Sequence, residues 1–191
     1  MSEIIKNYFE ESANNFIKLK EISNEIHDVM SIVIKALSDN KKVMFCGNGG
    51  SASDSQHLAA ELMGRYKLDR NPLPAIALTV DTSLITAIGN DYGYDKVFSR
   101  QVEGIGNASD VLIAISTSGN SKNVIEAVKS ANKMKIRTIG FTGQNKSELS
   151  NICEVCLKAP SDQTNHIQEM HIAIGQLLCG LVEDHFFNKK K

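Results

Sequence analysis

Two loops rich in glycine and hydroxyl side chains hold most of the groups in this chain that could do chemistry. The first, Cys46-Gly47-Asn48-Gly49-Gly50-Ser51-Ala52-Ser53, follows Lys42-Val43-Met44-Phe45. The second, Ser116-Thr117-Ser118-Gly119-Asn120-Ser121, follows Val111-Leu112-Ile113-Ala114-Ile115. Each lies between a strand pattern and a helix pattern, where backbone N–H groups and the positive end of the helix dipole can cradle an anion. In the second loop Ser116, Thr117, Ser118 and Ser121 supply four hydroxyls, and Gly119 permits a tight turn. Capping a helix needs one such residue. The surplus points to a phosphate group held without Lys or Arg. In the first loop Gly47, Gly49 and Gly50 let the backbone approach a sugar, with Asn48 and Ser51 placed to hydrogen-bond its hydroxyls. This loop is not a dinucleotide fingerprint: neither Asp69 nor Asp81 occupies the end of a second strand, where such a motif has its acid. No nucleotide cofactor is expected.

The helix pattern after the first loop carries His57 and Glu61, four residues apart and therefore on one face. They suit a general base with its partner or two ligands of a metal, and a plain surface pair is the competing reading. Asn90-Asp91 reads as a polar loop between apolar segments, relevant only if it faces the other two loops. Cys153 and Cys156 form a lone C-x-x-C inside Ile152-Cys153-Glu154-Val155-Cys156-Leu157, and read as buried strand residues, since no second Cys/His pair accompanies them.

These groups need a frame to hold them. Strand-like runs at 42–46, 74–79, 111–115, 136–142 and 153–158 alternate with helical patterns at about 52–66, 82–88, 94–105, 120–134 and 146–151. The alternation predicts an α/β fold, a three-layer doubly wound parallel sheet whose strand-end loops share one edge. Residues 3–39 read as a helical arm, with Ile22, Ile26, Val29, Val33 and Leu37 in one stripe. Such an arm packs on a neighbouring subunit or on its own core. A long helix over 162–187 buries Met170, Ile174, Leu177, Leu178 and Leu181. With 191 residues and no linker or repeat, residues 1–191 read as one domain.

Composition narrows the function classes. Twenty-one basic residues stand against 22 acidic ones, which gives no general electrostatic case for nucleic acid. The Lys189-Lys190-Lys191 run reads as a solvated tail. No apolar stretch approaches a membrane span and no signal peptide is evident, so a cytoplasmic location is expected.

Four motifs in order, Cys46-Gly47-Asn48-Gly49-Gly50-Ser51-Ala52, Gly89-Asn90-Asp91, Ile115-Ser116-Thr117-Ser118-Gly119-Asn120-Ser121 and Ile167-Gln168-Glu169-Met170-His171, resemble the sugar-isomerase (SIS) fold, a flavodoxin-like arrangement. Within it the chain is most similar to the bacterial phosphoheptose isomerases, over nearly its whole length. The resemblance implies conversion of sedoheptulose 7-phosphate to a heptose 7-phosphate, the first step toward a nucleotide-activated heptose for a surface polysaccharide. It implies that Ser116, Thr117, Ser118 and Ser121 hold the phosphate, and that Asn48 to Gly50, Asn90 and Asp91 contact the sugar. Glu61 would be the base that moves a proton between C1 and C2 through an enediol; a carboxylate suits that task when partial burial raises its pKa. The family can bind zinc through residues matching His57, Glu61 and Gln168 and a histidine eight residues later, and its members are homotetramers with sites at subunit interfaces.

Two positions depart from that pattern. Gln176 stands where the family has its second catalytic histidine; an amide can hydrogen-bond a sugar oxygen but cannot shuttle a proton and is a poor zinc ligand. His166 stands where the family usually has arginine. His171 lies about 140° around the helix from Gln176 and faces elsewhere unless a neighbouring subunit's site receives it. Gln168 and Gln176 would be about 12 Å apart along one helix, so they share a site only if the helix starts after Gln168 or if they serve different subunits. A catalytically impaired binding protein on the same fold, of the replication-initiator-associating kind, is the alternative function, with a sugar-phosphate sensor as a third.

Overall fold

Strands alternate with helices along the chain, and five parallel strands join one sheet in the order β2-β1-β3-β4-β5. The strands are β1 (Val43–Gly47), β2 (Ala75–Ala77), β3 (Val111–Ile115), β4 (Arg137–Gly143) and β5 (Val155–Ala159). This is a computed structural model, and it describes residues 1–188. The Lys189-Lys190-Lys191 run lies outside the described residues.

The period-2 alternation of the strands decides which layer each side chain joins. Val43 and Phe45 of β1 enter the core cluster with Val111, Ile113 and Ile115 of β3. The helices α2 (Ser23–Ser38), α3 (Gly50–Met63) and α8 (Thr164–Phe187) supply the other side of that cluster, through Val29, Leu58 and Ile174 among others. Met44, Cys46, Leu112 and Ala114 face the opposite way. There they meet α4 (Thr82–Tyr92), α5 (Ser99–Ile105), α6 (Lys122–Lys133) and α7 (Glu148–Ile152). Helices on both faces make the three-layer, doubly wound architecture expected from the sequence.

The N-terminal helical segment is two helices, α1 (Ser2–Lys18) and α2, joined by a 3-10 turn at Leu19–Ile22. Their environments differ. α2 buries its stripe on the sheet, whereas α1 buries only Asn15 and leaves Ile5, Phe9 and Ile17 exposed. No helix among the described residues is long and apolar enough to cross a membrane.

Three sequence expectations need correction, the simplest being Leu177, which is exposed on α8 and not part of its buried side. Asn90 and Asp91 are in the last turn of α4, not on a loop. Asp81 caps that helix by accepting from the Leu84 N–H at 2.9 Å, and the helix runs through Gly89 to stop at Gly93, whose φ of +86° suits glycine. Cys153 follows α7 and precedes β5, so only Cys156 of the pair is a strand residue, and both are half-buried. Their sulfurs converge on Gly140, where an added Cβ would sit 3.1 and 3.2 Å from them, a tight contact. Burial pushes both thiols up.

Candidate active site

The strand order places β1 beside β3 with β2 on its other side, so chain direction across the sheet reverses between β1 and β3. Crevices at such switch points, outside the carboxyl ends of the strands, are where open α/β sheets bind ligands. Both loops end there. Gly47 pairs in register with Ile115, so the loop at 47–50 and the loop at 116–121 leave the sheet side by side.

The second loop is held from beneath. Gly119 has φ +65°, and a Cβ there would overlap the Ser147 side chain. Its carbonyl accepts from the Leu149 N–H at 3.0 Å, while the Thr117 carbonyl accepts from the Gly143 N–H at 3.0 Å. With the backbone pinned, the hydroxyls gather: Ser116 Oγ and Ser121 Oγ are 3.0 Å apart, and Ser116 Oγ and Ser118 Oγ are 3.5 Å apart. Ser121 is the N-cap position of α6, yet its side chain makes no capping hydrogen bond. The serine surplus therefore is not spent on capping. Thr117 and Ser118 also line a pocket of about 280 Å³ with Asn145, Lys146 and Thr164. The sequence reading missed Lys146, which is distant in sequence and reaches the loop only through the β4–α7 turn.

The first loop turns at Gly49, φ +55°, into α3. Ser51 is buried against Gly47. A Cβ on Gly50 would lie 2.5 to 2.8 Å from the Gln168 amide atoms, so the bare glycine leaves room for Gln168 of α8 to reach the loop. Asn48 is bonded to Asn123 on one side and Tyr94 on another.

His57 and Glu61 do meet on one face of α3, with Nε2 to Oε1 at 2.9 Å. Glu61 is the more enclosed, its side chain 20% exposed against 46% for His57. Asp54 lies one turn before His57 on the same face, and its buried Oδ2 has no hydrogen-bond partner. Burial raises its carboxyl to about 6, against the opposing pull of His57. Asp54 was legible as an i−3 neighbour of His57 but carried no motif of its own.

The remaining expected residues are more dispersed. Asn90 Nδ2 donates to Asp91 Oδ1 at 2.8 Å, both are exposed, and Asp91 lines a separate groove between α4 and α5. α8 starts at Thr164, so Gln168 and Gln176 belong to one continuous helix and the late-start alternative is excluded. Among the described residues no hydrogen bond joins Gln176 to His57, Glu61 or Gln168.

His166 and His171 both point away from this group. His166 is buried under α1, with Nδ1 3.2 Å from both Ser12 Oγ and Glu169 Oε2, and the Tyr8 ring packed at a tilt against its own, centroids 4.8 Å apart. His171 is fully buried, its Nε2 donating to the Thr142 carbonyl at 3.1 Å. Burial pushes its pKa down to about 4, only partly countered by that hydrogen bond. The sign follows from proton binding: the unfolded chain takes up a proton on this ring near pH 6.5 and the folded one does not. Its contribution to stability is thus full above pH 6.5 and is lost as pH falls toward 4, by about 3 kcal/mol. Denaturant titrations between pH 4 and 7 should show that slope in the wild type and a flatter one in His171→Leu.

The donor set also tests the expected zinc ion. Strong zinc sites use three or four Cys, His, Asp or Glu donors, and among the described residues no group of three is placed to hold a metal. His57 and Glu61 are two, and the amides Gln168 and Gln176 are weak additions. These residues do not fit a tight zinc centre within one chain.

Residues 7–143 match the family model described as SIS domain. The phosphoheptose isomerase of Akkermansia muciniphila is 53% identical over 98% of this chain and 99% of its own length. The chain belongs to the phosphoheptose isomerase family. The solved phosphoheptose isomerases of Neisseria gonorrhoeae and Francisella tularensis are 40% and 36% identical, with TM-scores of 0.90 and 0.92. They cover 96% and 95% of this chain, which in turn covers 98% and 97% of theirs. The SIS match takes in both loops and α3 but ends before α8, which is covered by the near-full-length alignment with the Akkermansia muciniphila relative.

Proposed function

We propose that the protein isomerises sedoheptulose 7-phosphate to D-glycero-D-manno-heptose 7-phosphate in the cytoplasm, at the head of a nucleotide-activated heptose pathway. The observation that carries this reading is the near-full-length match to phosphoheptose isomerases, supported by a hydroxyl cluster at the sheet's switch point and a Glu–His pair on α3, the helix that leaves it. Ser116, Thr117, Ser118 and Ser121 bind the phosphate with the free N–H groups of α6. Asn48, Gly49, Gly50, Ser51, Gln168, Asn90 and Asp91 face the sugar chain, the last two across a subunit boundary. Glu61 takes a proton from C1; the electrons of that C–H bond form the C1–C2 double bond and the carbonyl electrons move to O2, which takes up the O1 proton across the cis-enediol. The same carboxyl then returns a proton to C2 while the negative charge left on O1 closes to the C1 aldehyde. His57, bonded to Glu61, orients the carboxylate. Gln176 donates to a sugar oxygen and takes no proton.

We read residues 1–191 as one domain in a homotetramer, with α1 as the arm that docks on a neighbour. Its exposed Ile5, Phe9 and Ile17 support this, as does the span between Gln168 and Gln176, about 12 Å along one helix, which suits service to two different sites. No step is routed through a metal, and chelator treatment should change turnover less than about threefold.

Two experiments test the reading. Purified wild type and Gln176→His are assayed on sedoheptulose 7-phosphate, with and without zinc. Turnover by the wild type is expected, with kcat raised about tenfold or more in the variant, since a restored acid–base group contributes on that scale. Silence from both under every condition would remove the isomerase reading. Separately, Ser116→Ala with Ser121→Ala should weaken binding of the sugar phosphate at least about tenfold, as expected for hydroxyls bonded to a charged group. Unchanged affinity would make the hydroxyl cluster structural.

A further inference from the structure

We propose that Asn123 and Tyr94 are positioning residues that lock Asn48 as a donor-only contact for the substrate. The inference rests on the isomerase reading for the identity of that substrate, and on hydrogen-bond geometry for everything else.

The two ends of an asparagine amide have the same shape and are told apart only by their partners. Here one partner is unambiguous. The backbone N–H of Val124, shared with the Ser121 carbonyl, donates to Asn123 Oδ1 at 3.0 Å, and an N–H can only donate. That fixes the oxygen end of Asn123. Asn48 Nδ2 donates to the same oxygen at 2.8 Å, and Asn123 Nδ2 donates back to Asn48 Oδ1 at 2.8 Å. The reciprocal pair therefore fixes Asn48 as well. Tyr94 then donates its hydroxyl to Asn48 Oδ1 at 3.2 Å.

The inventory of Asn48 is now nearly closed. Both lone pairs of its oxygen are occupied, and one of its two amide hydrogens is used. A single N–H remains. Asn48 meets the ligand with a donor and no acceptor, so the atom it recognises is an oxygen that accepts, such as a carbonyl, an enediolate or a phosphate oxygen. The same three side chains join the sugar loop to the first turn of α6, which follows the phosphate loop. One network thus sets both the direction of a sugar contact and the spacing between the two halves of the site.

Asn123 is buried, while Tyr94 is 59% exposed, so Tyr94→Phe removes one hydroxyl with no risk to the fold. KM and kcat for sedoheptulose 7-phosphate are measured for Asn123→Ala, Tyr94→Phe and Asn123→Asp, in wild-type and Asn48→Ala backgrounds. In the wild-type background Asn123→Ala should raise KM about tenfold and Tyr94→Phe about threefold, with kcat within about twofold, the pattern of lost uniform binding. Asn123→Asp keeps the acceptor for Val124 and Asn48 but loses the donor to Asn48 Oδ1 and sets a carboxylate oxygen against it, so it should raise KM at least as much as Asn123→Ala. In the Asn48→Ala background Asn123→Ala and Tyr94→Phe should have no further effect, because a residue acting through Asn48 has nothing left to act on. Equal factors in both backgrounds would overturn the proposal and leave a merely structural role. Should the wild type not turn over this sugar, the isomerase reading fails, and the lock is read from Asn48's side-chain amide resonances, assigned by their loss in Asn48→Ala. Slow solvent exchange in wild type that becomes fast in Asn123→Ala supports the lock, and identical exchange in the two contradicts it.

Discussion

Glu61→Gln is expected to lower kcat on sedoheptulose 7-phosphate by about 10²- to 10⁴-fold, the scale of a positioned general base, with KM changed little. The amide fills the same space and can still bond His57, which is 2.9 Å away in the wild type. What it cannot do is carry a proton between C1 and C2. An interaction made only in the transition state shows up as equal losses in kcat and kcat/KM. His57→Gln should be milder, because His57 orients the carboxylate and takes no proton itself in this account. Full activity in Glu61→Gln would mean that another group is the base, and Asp54, two turns away on α3 with a carboxyl raised to about 6, would be the first to examine.

The largest expected loss of stability comes from Arg70→Ala, at about 3–5 kcal/mol, the cost of leaving half of a buried ion pair without its partner. Arg70 and Glu183 side chains are both 2% exposed, with Nε to Oε2 at 3.0 Å. Glu183, near the end of α8, also accepts the backbone N–H groups of Tyr66, Lys67 and Leu68. Arg70 in turn donates to the Leu62 carbonyl at 2.7 Å and the Glu61 carbonyl at 2.8 Å, closing the C-terminal turn of α3. The clasp thus ties the helix that carries the proposed base to the helix that carries Gln168 and Gln176.

Thermal unfolding of Arg70→Ala should fall by about 10 °C for a chain this size, and a drop of under about 2 °C would show the clasp to be dispensable. Replacing both partners with apolar residues should cost less than either single change. Burial pushes the Glu183 carboxyl up, but the three backbone donors and Arg70 outweigh it and hold it below the usual glutamate range. A carboxyl with a depressed folded pKa stabilises fully above its unfolded value, about 4.3, and loses that contribution as pH falls through the folded one. The clasp therefore weakens only below about pH 4, at more acidic values than the loss from His171.

The frame and both loops were legible because each depends on local signals. Apolar runs such as Val111-Leu112-Ile113-Ala114-Ile115 end abruptly in glycine and serine, and that contrast marks a strand edge wherever it occurs. The i, i+4 relation of His57 and Glu61 is likewise local. Asn90-Asp91 was misplaced because Gly89 resembles a breaker, whereas the Asp81 cap and the stop at Gly93 carry the helix through it. Asn123, Tyr94, Arg70 and Glu183 left no readable trace. Their partners lie between 46 and 117 residues away, and an asparagine in a helix or an arginine in a loop looks the same whether it meets solvent or a buried partner. Resemblance supplied Gln168 and Gln176, and the continuous α8 added what it could not, that the two are held apart on one rod.

The proposed isomerisation requires Glu61 to move a solvent-exchangeable proton on a sugar phosphate. Sedoheptulose 7-phosphate incubated with the enzyme in deuterated water, followed by magnetic resonance at C1 and C2, reads this directly. An aldose 7-phosphate carrying deuterium at C2 is the result expected, formed at least about 10²-fold more slowly by Glu61→Gln. Product that retains only hydrogen from C1, or no product at all with and without zinc, would contradict it.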